Sequence, residues 1–170
     1  YETYDLYIDK PEPLIPRRHI LEVSERLDQN GNVINKLDMA SVDHAIDTLL
    51  STERETVAVS LLHAYANPVH ERAIRDRIKA RAPEISVSLS SDVSPKFREY
   101  ERTNTTVANA YITPTVERYI SRLQSALGQQ GYQQELFIMQ SSGGLVTPAM
   151  AKNYPIRIIE SGPAAGVLMA

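Results

Sequence analysis

Apolar positions along this chain change period several times, and each change marks an element. From His19 to Leu37 the period is two: Ile20, Glu22, Ser24 and Arg26 alternate with Leu21, Val23 and Leu27. Asn30-Gly31 interrupts this run and Val33-Ile34 resumes it, which predicts a β-hairpin, because Asn-Gly supplies the positive φ of a tight turn. Met39 to Thr52 switches to the helical period, with Val42, Ile46, Leu49 and Leu50 on one face and Asp38 or Ser41 as cap. Thr56 to Leu62 is short, β-branched and apolar, the pattern of a strand buried on both faces. Asn67-Pro68 opens a second helix, striped by Val69, Ala73, Ile74 and Ile78 and ended by Pro83. Ile85 to Leu89 alternates as a strand, and Ser90 to Pro95 reads as a polar loop. Lys96 to Gly128 is the longest helical stretch, with Ile112, Val116, Tyr119, Ile120, Leu123 and Leu127 at steps of three and four. Thr113-Pro114 predicts a break or kink in it, and Gly128 and Gly131 its end. Leu136–Met139 and Ile156–Ile159 read as two further strands, each running into a glycine turn, and Ala164 to Ala170 as the start of a buried helix.

Strands alternating with helices predict an α/β fold: a β-hairpin, then β/α units with right-handed crossovers and a mainly parallel sheet. Residues 1–18 form a Pro-rich extended lead-in, in which Asp5–Ile8 can add an edge strand, and residues 19–170 form one α/β domain. In such sheets functional loops gather at the carboxyl ends of strands. Here those ends are His63–Asn67, Ser90–Pro95, Ser141–Gly144 and Glu160–Gly166.

Composition narrows the class. The 170 residues are 42% apolar and 23% charged, ordinary for a soluble globular domain. A net charge of −3 argues against nucleic-acid or membrane surfaces as partners, and no apolar run reaches the length of a membrane span. The chain has no cysteine, so disulfides, thiolate metal sites and cysteine nucleophiles are excluded; a reducing cytoplasm is compatible. Residue 1 is Tyr, and the sequence stops inside the apolar run Val167-Leu168-Met169-Ala170, so the expectation is a piece of a larger protein.

Three groups of residues carry candidate chemistry. His63, Asn67, His70 and Glu71 hold metal-ligand types, but a metal needs His63 folded back onto His70; the competing expectation has Asn67 as a cap, Glu71 complementing the positive helix end and His70 bonded locally. Glu99, Arg102, Thr106 and Asn109 share a helix face at steps of three and four. Thr and Asn are poor helix formers, so this face either lines a cleft or is solvated. The turns Ser141-Ser142-Gly143-Gly144 and Glu160-Ser161-Gly162-Pro163 each follow an apolar run. The second opens a helix, an arrangement that presents backbone N–H groups to an anion or serves as an ordinary αβ turn.

Four motifs together resemble the hydantoinase A / 5-oxoprolinase family: LLHAYANPVHE (61–71), REYERTNTTVANAYITP (98–114), QSSGGLVTPAMA (140–151) and ESGPAAGV (160–167). The resemblance implies the two-lobed ATPase fold shared with actin, Hsp70 and sugar kinases. It implies ATP-dependent opening of cyclic amides such as hydantoins or 5-oxoproline, with Mg and a further divalent metal in the full-length protein and a second large subunit or domain as partner. Relatives that are ketone carboxylase subunits imply the alternative, as does a lobe with a structural, hinge or subunit-interaction role. The family's acidic glycine-rich phosphate motifs (of the types DxGGTxTD and DxGGTS) are not in these 170 residues, so the isolated chain is expected to be inactive. The resemblance implies Arg102 as a catalytic group stabilising negative charge, and Glu99, Thr106 and Asn109 as substrate contacts. It implies that Ser142, Gly143, Gly144, Ser161, Gly162 and Pro163 border the nucleotide, with Ala164, Ala165 and Gly166 in a close-crossing hinge helix. No metal ligand is assigned.

Overall fold

The computed structural model describes Tyr7 and residues 12–169; apart from Tyr7, the lead-in strand expected at Asp5–Ile8 lies outside the described residues. Arg17–His19 make a single 3₁₀ turn. Arg26–Leu27 (β1) and Val33–Asn35 (β2) then pair antiparallel around Gly31, whose φ is 82°. The hairpin is shorter than its alternating pattern: the stretch from Ile20 to Glu25 joins no ladder, and both Ile20 and Leu21 are exposed. Asp38 caps the next helix, Met39–Leu50 (α1), by accepting from the N–H groups of Ala40 and Ser41. Its stripe buries Val42, Ile46 and Leu49 and leaves Leu50 exposed.

Thr56–Val59 (β3) pairs in parallel with Ser86–Leu89 (β4), in register from Thr56 beside Ser86 to Val59 beside Leu89. The crossover between them is Val69–Arg81 (α2), where the Asn67 side chain accepts from the Val69 N–H at 3.1 Å, as the sequence predicts of a cap. Period two sorts the two strands' side chains to opposite faces. Val57, Val59, Val87 and Leu89 join the main apolar core with Val42, Ile46, Leu49, Ile74 and Ile78 from α1 and α2. The other face carries small or polar side chains (Ala58, Ser86, Ser88), and the long helix Glu99–Gln129 (α4) packs against both strands. A short helix, Ser90–Val93 (α3), replaces the polar loop expected after β4.

α4 runs without a break through Pro114, against the interruption expected there. Proline removes one N–H and its partner bond, but Ala110, Thr113 and Ile120 are buried around the site, and tertiary packing holds the helix together. The helix ends where the glycines predict. Gly131, at φ 81°, donates to the Gly128 carbonyl and Tyr132 to the Leu127 carbonyl, the paired bonds of a Schellman motif.

The last segment differs most from its pattern. Ile138–Met139 (β5) turns back through Gly143 to pair antiparallel with Leu145–Val146 (β6). Thr147 then caps Pro148–Asn153 (α5). The strand expected at Ile156–Ile159 is instead a 3₁₀ helix, Pro155–Ile158. Pro155 fixes φ at its first position, and the Ile156 N–H is taken by the Asn109 side chain rather than by a neighbouring strand. The helix expected from Ala164 begins earlier, as Ser161–Met169 (α6), and it is not buried: Val167 and Leu168 stand exposed.

Candidate functional site

The carboxyl ends of β3 and β4 are tied together by three buried side chains. Glu71, in the first turn of α2, is 0% exposed; its Oε1 accepts from the Leu61 N–H at 2.9 Å and the Ser90 hydroxyl at 2.6 Å, and its Oε2 from the Ser91 N–H at 2.9 Å. Arg102, one turn into α4, is 1% exposed. Its Nε donates to the Ser90 Oγ at 3.1 Å, and its two terminal nitrogens donate to the carbonyls of Lys96 and Leu61, each at 2.7 Å. Ser90 thus donates to the carboxylate while accepting from the guanidinium. Two buried charges of opposite sign are matched through one hydroxyl and the ends of three loops, which is how a buried pair avoids a large desolvation penalty. The Arg102 guanidinium also lies over the Tyr65 ring, 5.5 Å from its centre.

The sequence placed Arg102, Thr106 and Asn109 on one face, and the structure brings that face inward. Thr106 and Asn109 are each 0% exposed, whereas Glu99 stands in solvent at the start of α4. The Thr106 and Thr113 hydroxyls donate to carbonyls one turn back, those of Arg102 and Asn109, both at 2.7 Å. Asn109 Nδ2 donates to the Ser88 hydroxyl at 3.0 Å and the Asn153 carbonyl at 3.2 Å, while its Oδ1 accepts from the Ile156 N–H at 3.2 Å. Thr103 meets Ser60 at 2.7 Å. The dense polar composition of this helix therefore matches the polar face of the β3–β4 pair. Its side chains join elements to one another and do not wall an open cleft within this chain.

The two glycine turns meet each other. The Ser141 hydroxyl accepts from the Glu160 N–H at 3.0 Å, and the Ser141 N–H donates to the Arg157 carbonyl at 2.8 Å. Gly143, at φ 89°, lies so close to Leu168 that a Cβ there would stand 3.2 Å from its side chain. A Cβ on Gly162 would meet nothing within 4 Å, so the start of α6 is open on that side. The loops after β3 and β4 and the two glycine turns thus form two tied pairs, both attached to α4: the first pair through Arg102 and Thr103, and the second through Asn109 and the 3₁₀ segment before the second turn.

His63, Asn67, His70 and Glu71 do not converge on a common point. His70 reaches across the chain to Glu25, 2.7 Å away in a buried pair, and so joins α2 to the stretch before β1 rather than bonding locally. Glu71 is held in the network above. Asn67 Nδ2 donates to the Gly31 carbonyl at 2.8 Å, docking the hairpin tip on the loop after β3. At that tip the Asp28 carboxylate accepts from the Asn32 side chain and from the N–H groups of Asn32 and Asn30, which hold its pKa below the usual carboxylate value. Among the described residues, no group of three or more His, Cys, Asp or Glu is arranged to hold a metal ion. Sequence reasoning missed Ser60, and it included Tyr65 and Ser90 only as members of strand-end loops, with no role of their own. The signal available was position, since Ser60 and Ser90 follow directly on the two parallel strands.

An α/β lobe whose sheet is braced at its carboxyl ends by buried polar side chains, with two linked glycine turns beside it, is the class that fold and site define. Residues 1–82 match the hydantoinase/oxoprolinase N-terminal region and residues 102–170 the hydantoinase/oxoprolinase family. The chain belongs to that family. It is 41% identical, over 98% of its length, to an uncharacterized protein of Methanocaldococcus jannaschii, of which it covers 25%. It superposes on the crystal structure of ATP-dependent caprolactamase from Pseudomonas jessenii with a TM-score of 0.85, at 34% identity, over 95% of this chain and 23% of that one. A nucleotide-free structure of acetone carboxylase matches with a TM-score of 0.82, at 32% identity, over 94% and 23%. These fits agree with the expected actin-like ATPase architecture. The chain spans about a quarter of the length of these three relatives.

Proposed function

We propose that this chain is one lobe of an ATP-dependent enzyme that opens cyclic amides of the hydantoin, 5-oxoproline or lactam type. The observation that carries this is the match to caprolactamase across nearly the whole chain, joined to family membership at both ends. In this reading ATP activates the ring amide by phosphorylating its oxygen when both are bound, and the lobe contributes binding and positioning. Ser142, Gly143, Gly144, Ser161, Gly162 and Pro163 border the nucleotide. Their linkage through Ser141 and the open side of Gly162 suit them to offer backbone N–H groups and hydroxyls to an anionic ligand. No residue of this lobe is assigned as a magnesium ligand in this reading. Arg102 acts as a positioning residue with Thr106 and Asn109, holding the sheet ends in place, and Glu99 is the member of that face free to meet a ligand or partner. A second large subunit and a cytoplasmic location complete the reading; among the described residues no helix is long and apolar enough to cross a membrane.

The nearly equal match to acetone carboxylase supports a second reading, a subunit of an ATP-dependent ketone carboxylase. One assay separates the two. The full-length protein, with its partner chain, is given ATP and either a hydantoin, 5-oxoproline, a lactam, or a ketone with bicarbonate. Ring opening coupled to ATP hydrolysis is the expected result. ATP hydrolysis that depends on ketone and bicarbonate alone would favour the carboxylase, and hydrolysis stimulated by neither class would leave the lobe a structural role.

A further inference from the structure

His63 follows β3 and has a φ of 59°, the one positive value among the described non-glycine residues. A side chain in that region is strained, and such positions persist where the surroundings over-determine them. The surroundings here do so. The His63 carbonyl accepts from the Ala66 N–H at 2.9 Å and the Asn67 N–H at 3.3 Å. Ala64 is buried beside it, the Leu61 N–H and carbonyl are clamped by Glu71 and Arg102, and Asn67 is pinned to the hairpin tip. Buried charges thus hold one end of a turn whose apex is a strained histidine, and the Asn67 side-chain amide holds the other.

The imidazole is half-buried and lightly engaged. Its Nδ1 lies 3.4 Å from the Tyr65 hydroxyl, the two rings meet edge to face, and Nε2 has no hydrogen-bond partner among the described residues. Tyr65 is itself fixed beneath Arg102. The result is a positioned nitrogen at the carboxyl end of a parallel strand, where ligands of α/β sheets bind. Arg102 already spends its nitrogens on protein acceptors. The turn itself, residues 61–67, carries no lysine or arginine, and the Asp28 carboxylate is near enough to interact with His63, a setting that suits an uncharged polar ligand better than a phosphate.

We infer that His63 is a ligand-contacting residue that hydrogen-bonds the ring amide of the substrate through Nε2, with Tyr65 setting the orientation of its imidazole. This rests on the cyclic-amide reading above. The test compares His63→Asn and His63→Gly in the full-length protein with its partner chain. Both replacements accept a positive φ, and neither side chain reaches as far as imidazole. The expected result is a rise in KM for the cyclic amide of roughly tenfold, the size of one lost hydrogen bond. KM for ATP stays unchanged, and the melting temperature is equal or higher. If His63→Gly fails to fold, His63→Asn alone decides. Unchanged KM for the amide in a folded variant overturns the inference, as does a rise in KM for ATP instead. If the unaltered protein opens no cyclic amide, the functional reading fails first and this inference with it.

Discussion

Arg102 shows how far the chemistry of a residue type can be from its use. A charged group on a helix face beside a polar loop suggests a cleft, and the same spacing is required of a group that must reach two strand ends at once. Burial decides between them: with three protein acceptors and 1% exposure, Arg102 is committed to the frame. Removing one member of a buried charge network leaves the other uncompensated, which costs about 3–5 kcal/mol. Arg102→Ala and Glu71→Ala should each destabilise the protein by that order. Because they share Ser90, their combined cost should fall well short of the sum. Urea denaturation of the two single variants and the double variant measures this. Additive losses of less than about 1 kcal/mol each would mean that the network contributes little and would return Arg102 to consideration as a substrate contact.

At the scale of elements, α4 is the piece on which the others are hung. It packs on both parallel strands, the 3₁₀ segment and α5, and it does so through a polar face cut to fit serines on the sheet. Pro114 sits within it at a cost that the packing offsets. Pro114→Ala restores a backbone donor to the helix interior and should stabilise the protein, by up to about 3 kcal/mol if the alanine is accommodated without repacking. A lower urea midpoint for this variant would show that the proline ring fills space the helix needs. The helices α1, α2 and α4, the Asn67 cap, the hairpin turn and the parallel pair were legible in the sequence, because period and capping are local signals, whereas the short helices α3 and α5 were not. The 3₁₀ segment was not. Pro155 to Ile159 has the β-branched composition of a strand, but its form depends on Asn109, 47 residues before Ile156 in the chain. Glu71 and Arg102 stood out in the sequence as residues, while their joint use of Ser90 is a tertiary fact that no spacing encodes.

Across the whole molecule, peripheral elements are fastened by charges that titrate in acid. Asp43 on α1 takes a two-pronged bond from Arg77 on α2, at 2.7 and 2.9 Å, and also meets Arg81. The hydrogen bond from Arg77, followed by the nearby positive charges, holds the Asp43 carboxyl below its usual value, and the same contact raises Arg77. Asp28 is lowered in the same direction, chiefly by the hydrogen bond from the Asn32 side chain. A carboxylate whose folded pKa lies below the unfolded value of about 4 binds its proton more readily when unfolded. Its contribution is therefore complete above about pH 5 and is lost as pH falls through the depressed folded value. Arg77 keeps its charge throughout that window, so the slope belongs to the carboxylates. Melting temperatures measured from pH 7 down to pH 2 should hold a plateau and then fall below about pH 4, more shallowly in Asp43→Asn and Asp28→Asn than in the parent. Both groups are only partly buried, so added salt should flatten the Asp43 part of the fall, which depends on an ion pair, more than the Asp28 part, which depends chiefly on neutral donors. Parallel acid limbs in parent and variants would place the acid sensitivity elsewhere in the fold.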